Sequence, residues 1–456
     1  MARLFGTDGV RGVANVDLTC ELAYRLGQAS VAFMGKTIVL GKDTRKSGDM
    51  LEAAVVAGIT SAGGDALLAG VIPTPAVALL TRELHADGGI VISASHNPPE
   101  YNGIKFFDAQ GFKLPDAVED EIEQFIAEGG LEGAVERVLK QGEEASMPAG
   151  ALVGVAVEVE DACEMYIDHV VNSIQAQGID FSGLHVALDT GHGASSLTSA
   201  EALRRLGAEV TVINDDFDGN DINVECGSTH LGPLSELMAE SGADVGIAHD
   251  GDADRVMMLA VDGTEIDGDM MEAVLAVDLK NRGCLPGNVA VSTVMTNLGF
   301  VHAMREAGIE VLQTKVGDRY VLEAMREGGY VLGGEQSGHM ILLEHNSTGD
   351  GLMTACQFLA AVRRSEKPVE EAIKVMTRFP QTLINVRVKD KHALDGNEAI
   401  WDAVRTAEEA MGDSGRVLVR TSGTEPLVRV MVEAETQDVA DAHARTIADV
   451  VEAQLA

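Results

Sequence analysis

GIVISASHNP, residues 89–98, runs an apolar, β-branched segment straight into a loop of small polar residues. Two more apolar runs precede it, TIVLG at 37–41 and ALLAGV at 66–71, with stretches of helical periodicity between them. The order strand, helix, strand, helix, strand then recurs twice. Strands are expected near 185–189, 209–213 and 244–248, and again near 288–294, 310–313 and 330–333. Short strands alternating with helices imply right-handed crossovers and largely parallel sheets covered on both faces.

Each third strand ends in a polar loop: SASHNP at 93–98, HDGDADR at 249–255 and GEQSGH at 334–339. Ligands of such sheets bind beyond the carboxyl ends of strands, so three sheets can offer three loops to one cleft. The remainder has a different pattern, with an alternating strand at 383–388, a helix at 398–411, a strand, loop and strand within 416–433, and a terminal helix. The expected fold is therefore α/β: three similar α/β domains with largely parallel mixed sheets plus a smaller C-terminal α+β domain, arranged around a central cleft. The expected divisions are 1–150, 151–256, 257–368 and 369–456. Residues 142–154, bearing Gly, Ala and Pro, read as a linker, and Asp262-Gly263 reads as a two-residue hairpin turn near the second border.

A chain of 456 residues exceeds one ordinary core and suggests three or four domains. With 46% hydrophobic and 23% charged residues it has the balance of a soluble globular protein. Its 72 acidic and 34 basic residues give a net charge of −38, which repels nucleic acid and anionic membrane. Neither is expected as a partner. No apolar run approaches the ~18 residues of a membrane span, and the amino terminus lacks a signal-peptide pattern. Cys20, Cys163, Cys226, Cys284 and Cys356 are scattered and form no CxxC pair, which argues against a disulfide framework or a zinc site and for a reducing cytoplasm.

So acidic a chain must gather its cations locally to capture any anion. Arg11, Arg45, Lys105, Arg255, Lys315, Arg319, Arg420 and Arg429 all lie in or beside Gly-rich or polar loops. In HDGDADR, Asp250, Asp252 and Asp254 are spaced i, i+2, i+4, which in an extended segment points three carboxylates to one side. Oxygen-only ligation favours a hard ion, Mg2+ or Mn2+. An EF-hand needs Gly and Glu where this chain has Arg255 and Val261, so that reading fails; a solvated acidic loop stays open. Ser95 could be a nucleophile or a turn residue. RTSGTEP, with Arg420, Ser422, Gly423, Thr424 and later Arg429, reads either as a phosphate cradle or as a tight hairpin turn. Glu335, Ser337 and His339 can read sugar hydroxyls, or His339 can be a satisfied strand-end histidine.

Taken in order, FGTDGVRG, SASHNP, DGDADR, GEQSGH and RTSGTEP resemble the α-D-phosphohexomutases over essentially the whole chain. Gln336 and NVECGSTH (223–230) are most similar to the branch that acts on glucosamine phosphate; His249 and DTGHGA (189–194) depart from that branch's usual residues. The resemblance implies four domains around one cleft, Ser95 phosphorylated in the active enzyme, and Mg2+ held by Asp250, Asp252, Asp254 and the phosphoserine. It implies interconversion of glucosamine 6-phosphate and glucosamine 1-phosphate through a hexose 1,6-bisphosphate that also serves as activator, a step feeding UDP-N-acetylglucosamine and cell-wall synthesis. A mannose or glucose phosphate specificity, a Mg2+-dependent phosphatase and a non-catalytic sensor remain as alternatives, and a homodimer is left open.

On that reading no Ser/His/Asp arrangement activates Ser95, so charge neutralisation and positioning must do so. Lys105 and His339 are the candidates for proton transfer, and Arg11 and Arg255 for stabilising the transferring phosphoryl group. Glu335, Ser337, Arg45, Asp318 and Arg319 are expected to bind substrate, and the Arg420–Thr424 loop with Arg429 to hold the distal phosphate.

Overall fold

The computed structural model describes residues 3–6, 8–140, 146–422 and 426–456. They form two compact units, Met1–Met295 with Ile309–Lys374, and Thr296–Gly308 with Val375–Ala456.

The first sheet of the larger unit contains β1 (Phe5–Gly6), β2 (Gly9–Val13), β3 (Thr37–Lys42), β4 (Asp65–Val71), β5 (Gly88–Ile92), β6 (Tyr101–Asp108) and β7 (Ala156–Glu158), in the order β1-β2-β6-β5-β3-β4-β7. β3 pairs parallel with β4 and β5, and β6 returns antiparallel between β5 and β2. Every residue of β5 is buried, as a central strand covered on both faces requires. Leu26, Ile38, Leu40, Val55, Ile90 and Phe106 lie in the core around it.

The second sheet contains β8 (His185–Asp189), β9 (Glu209–Ile213), β10 (Val245–His249), β11 (Val256–Ala260) and β12 (Glu265–Ile266), ordered β12-β11-β10-β8-β9. The β11–β12 turn departs from the two-residue expectation. Ala260 N donates to Thr264 O, leaving three residues in the loop. Asp262 accepts from Thr264 N, and Gly263 takes the left-handed φ of +85° that closes it. β7 pairs with β4 and β11 with β10, so the first sheet takes in residues 156–158 and the second residues 256–260.

The third sheet contains β13 (Val289–Thr293), β14 (Glu310–Thr314), β15 (Leu332–Gly334) and β16 (Met340–Leu342), ordered β14-β13-β15-β16. Beside it the helix Gly351–Ser365 is buried from Gly351 to Val362 and packs on helices Gly268–Asn281 and Ala162–Gln175. Each repeat's third strand thus turns back into an antiparallel one, β5 to β6, β10 to β11 and β15 to β16. The mixed α/β sheets expected from the sequence are present.

The second unit holds β17 (Gln381–Arg387), β18 (Gly415–Thr421) and β19 (Leu427–Ala434), antiparallel in the order β17-β19-β18. Its core includes Ile400, Val428, Val430, Val432, Ile447 and Val451. The helix Leu298–Glu306, which falls between two strands of the third repeat, groups with this unit. Glu433 accepts from Leu298 N at 2.9 Å, and Asn297 exchanges hydrogen bonds with the Phe379 backbone at 2.9 and 3.0 Å. These polar anchors tie its first turn to the C-terminal sheet.

Candidate active site

SASHNP leaves the end of β5 under tension and is tightly braced. Ser95 is buried, with φ +53°, a left-handed conformation that costs a non-glycine residue about 1 kcal/mol or more. Its carbonyl accepts from Arg45 Nη2 and Asn223 Nδ2, both at 2.9 Å, and its amide donates to Ser93 Oγ. β6 runs close alongside. A Cβ on Gly103 would fall 2.4 Å from the Ser93 carbonyl oxygen, so only glycine lets that strand approach.

The Ser95 hydroxyl donates to Asp250 Oδ2 at 2.6 Å, which joins the first loop to the second. Asp250, Asp252 and Asp254 are all buried, and each offers a carboxylate oxygen to a set lying within 4.8 Å of one another. Burial and the neighbouring charges of Asp254 and Asp252 push the Asp250 carboxyl well above its ordinary range. Thr74 Oγ1 and Lys105 Nζ donate to Asp252 Oδ2 at 2.7 and 2.8 Å, yet Asp252 Oδ1 and Asp254 Oδ1 are buried with no hydrogen-bond partner. Three crowded carboxylates with orphaned oxygens fit a hard divalent cation such as Mg2+.

The third loop arrives through His339, whose Nδ1 lies 3.6 Å from Asp254 Oδ1 and whose Nε2 lies 3.5 Å from Asp318 Oδ2. Burial alone would lower its pKa, but Asp254 and Asp318 raise it. Lys105 lies 3.5 Å from Asp254 and 3.2 Å from Asp8; burial opposes its charge, but Asp252, Asp8 and Asp254 hold it well above the ordinary lysine range. Asp254 is held well below the carboxylate range, because Lys105 and His339 outweigh its burial. Arg255 donates its amide to Asp250 at 3.1 Å, and its Nε lies 3.7 Å from Asp254. Arg11 pairs with Asp8.

Two residues expected to contact substrate are engaged elsewhere in this structure. Arg45 is buried, and all five of its guanidinium donors are used, on Asp43 and on the carbonyls of Ser95, Asn97, Pro98 and Tyr101. It braces the serine loop and has no donor left for a ligand. Arg319 pairs with Asp116, Glu119 and the Leu114 carbonyl, lining a pocket of about 400 Å³ with Lys113 and Arg326 rather than joining Ser95. Asp318 reaches the site through His339, and its carboxylate is taken by Lys113 at 2.6 Å. Glu335 accepts from Gly317 N at 3.1 Å, and Ser337 is exposed beside it.

Sequence reasoning missed Asp8, Lys113, Thr74 and Asn223. Asp8 and Asn223 were inside quoted motifs, and Lys113 stood out only as a cation in the apolar GFKL stretch, 111–114. In the second unit, Arg420 and Arg429 face each other across β18 and β19. Ser422 N donates to Leu427 O, while Gly423 and Thr424 lie outside the described residues. Burial and the Arg429 charge lower the Arg420 pKa, and Arg429 Nε is buried without a hydrogen-bond partner. Like charges placed opposite each other are unfavourable unless an anion sits between them.

Comparison with known proteins follows the same pattern along the chain. Family models described as Phosphoglucomutase/phosphomannomutase alpha/beta/alpha domains I, II and III match residues 2–132, 164–263 and 267–379, and the C-terminal domain of that family matches 383–450. The chain is 51% identical to a phosphoglucosamine mutase of Thermobifida fusca, covering 100% of this chain and 99% of the relative. It is 47% identical to one of Acetivibrio thermocellus, covering 100% of both. A crystal structure of a phosphoglucomutase/phosphomannomutase family protein from Burkholderia thailandensis matches with a TM-score of 0.77 at 24% identity, over 99% of this chain and 97% of that one.

Proposed function

The chain belongs to the phosphoglucomutase/phosphomannomutase family, and we infer that it interconverts glucosamine 6-phosphate and glucosamine 1-phosphate, the reaction for which its full-length relatives are named. It is an enzyme of the intramolecular phosphotransfer type. The observation that carries the reading of its mechanism is the 2.6 Å contact between the Ser95 hydroxyl and Asp250 inside the three-carboxylate cluster.

Ser95, loaded as phosphoserine, gives its phosphoryl group to O1 of glucosamine 6-phosphate: the bond from phosphorus to Oγ breaks, the bond to O1 forms, and the proton lost from O1 is made up on Oγ. The resulting 1,6-bisphosphate, which also serves as activator, turns so that its 6-phosphoryl group goes to Ser95: the bond from phosphorus to O6 breaks, the bond to Oγ forms, and the proton lost from Oγ is made up on O6. Asp250, Asp252, Asp254 and Ser95 would hold one Mg2+, which when bound neutralises phosphoryl charge. Lys105, held protonated by three carboxylates, supplies a fixed positive charge, and His339 is the candidate proton carrier. Arg11 and Arg255 stabilise charge on the phosphoryl oxygens, Glu335 and Ser337 bind sugar hydroxyls, and Arg420, Ser422 and Arg429 form a phosphate-binding group of the second unit. Four domains each carry one of these loops. Among the described residues no helix is long and apolar enough to cross a membrane, and we place the reaction in the cytoplasm.

The test is intact-protein mass spectrometry with peptide mapping, before and after exposure to glucosamine 1,6-bisphosphate, paired with Ser95→Ala and a sugar-phosphate isomerisation assay. A phosphoryl group mapped to Ser95 and no turnover by the variant are expected; native turnover by Ser95→Ala would overturn the mechanism. Steady release of inorganic phosphate would indicate a phosphatase, ligand binding without isomerisation a sensor, and faster turnover of mannose or glucose phosphates a different sugar preference.

A further inference from the structure

Six titratable side chains of the larger unit close into a ring in which bases alternate with carboxylates. Lys105 Nζ lies 3.2 Å from Asp8, Asp8 lies 2.6 Å from Lys113, and Lys113 lies 2.6 Å from Asp318. Asp318 lies 3.5 Å from His339, His339 lies 3.6 Å from Asp254, and Asp254 lies 3.5 Å from Lys105. Half of the ring belongs to the chemistry already described. The other half, Asp8, Lys113 and Asp318, lies outside the carboxylate cluster and reaches it only through Lys105 and His339. Lys113 is its centre. It sits just past β6, where its backbone bridges Phe107, and its ammonium joins the amino-terminal segment to the first turn of the helix Asp318–Gly328.

A buried ionic network contributes little net stability, because desolvation consumes most of the Coulomb gain. Its stronger effect is on geometry: partners whose hydrogen bonds are fixed cannot adopt other rotamers, and the groups they hold inherit that order. Without Lys113, Asp8 and Asp318 would be two mostly buried carboxylates short of a cation. Asp8, keeping its pair with Arg11, would then draw harder on Lys105, and Asp318 on His339.

We propose that Lys113 is a positioning residue: by bridging Asp8 and Asp318 it holds Lys105 and His339 at the two places where they flank Asp254. This deepens the mutase reading and rests on it. Lys113 itself touches neither Ser95 nor the three aspartates, so its effect on substrate affinity is small and its effect on turnover is large.

The experiment compares full-length, Mg2+-loaded wild type with Lys113→Met, Lys113→Arg, Asp318→Asn and the Lys113→Met/Asp318→Asn double variant. Steady-state kinetics with glucosamine 6-phosphate are read beside far-UV circular dichroism. The wild-type rate is measured first, so failure of the mutase reading shows in that protein and failure of this proposal only in the variant ratios. Lys113→Met is expected to lower kcat about tenfold to a hundredfold, the range typical of residues that orient a reacting group, with KM changed less than about threefold. Lys113→Arg recovers part of kcat, and the double variant is no slower than the slower single one. Native kcat in Lys113→Met, a rise in KM at constant kcat, or additive losses in the double variant would each overturn the proposal. Should Lys113→Met not fold, Asp318→Asn decides alone: reduced kcat at constant KM sustains the proposal, and native kcat removes it.

Discussion

The hydroxyl of Ser95 donates a 2.6 Å hydrogen bond to Asp250, a carboxylate that burial and its two neighbours push well above its ordinary range. The serine loop and the aspartate loop therefore meet at a point where negative charge is expensive, and a cation there serves both.

Asp250→Asn is expected to separate the two roles of that charge. Removing one of three crowded carboxylates relieves repulsion, so in EDTA the variant should melt at or above the wild-type temperature. Added Mg2+ should raise the wild-type midpoint, since a ligand at a hundred times its Kd contributes about 2.7 kcal/mol, and leave the variant where it is. Scanning calorimetry with and without Mg2+ checks this; equal Mg2+ responses would refute metal binding at the cluster.

Arg45→Lys tests the reassignment of Arg45 from ligand contact to brace. A lysine has three donors on one point and cannot reproduce a planar fork that reaches Asp43 and four carbonyls. We expect a loss of about 2–4 kcal/mol in urea unfolding and a drop in kcat as Ser95 loses its fixed position, while KM stays near the wild-type value. A selective rise in KM would restore Arg45 to the substrate.

How much of this could be read in advance follows from sequence separation. The strands of the three repeats were readable because hydrophobic periodicity is local, and the aspartate cluster because its three members fall within five residues. Thr74 and Asp252 are 178 positions apart, and Lys113 and Asp318 are 205 apart, so nothing near either lysine or threonine announces its partner. Arg45 and Arg319 are ambiguous for a related reason: a loop arginine looks alike in sequence whether it faces a ligand, a carbonyl or a helix-bound carboxylate. The helix Leu298–Glu306 fits the third repeat by pattern, yet Glu433, far down the chain, holds its first turn.

Arg429→Gln probes the arginine pair of β18 and β19. The only tryptophan, Trp401, lies in the helix Glu398–Met411 of the same unit, so its fluorescence follows that unit's unfolding. Without anions the variant should unfold at higher temperature than wild type, because two facing cations no longer repel. Millimolar phosphate or sulfate should stabilise wild type and not the variant. A wild-type midpoint indifferent to both anions would remove the phosphate-binding assignment.

His345 gives the molecule a pH dependence that does not involve the active site. Burial, with His169 and Arg282 nearby, pushes it from 6.5 down to about 4, so the folded protein binds that proton less readily than the unfolded chain does. A depressed histidine pKa contributes stability that is complete above pH 6.5 and is lost as pH falls through the interval toward 4. For a half-buried ring the effect is on the order of 1 to 3 kcal/mol. Other groups titrate in the same range, so the decisive quantity is the difference between wild type and His345→Gln at each pH. Urea unfolding at pH 7.5 and pH 4.5 should show wild type losing ground to the variant as the solution is acidified. A difference that stays constant between the two pH values would mean that His345 is as easily protonated in the fold as in water.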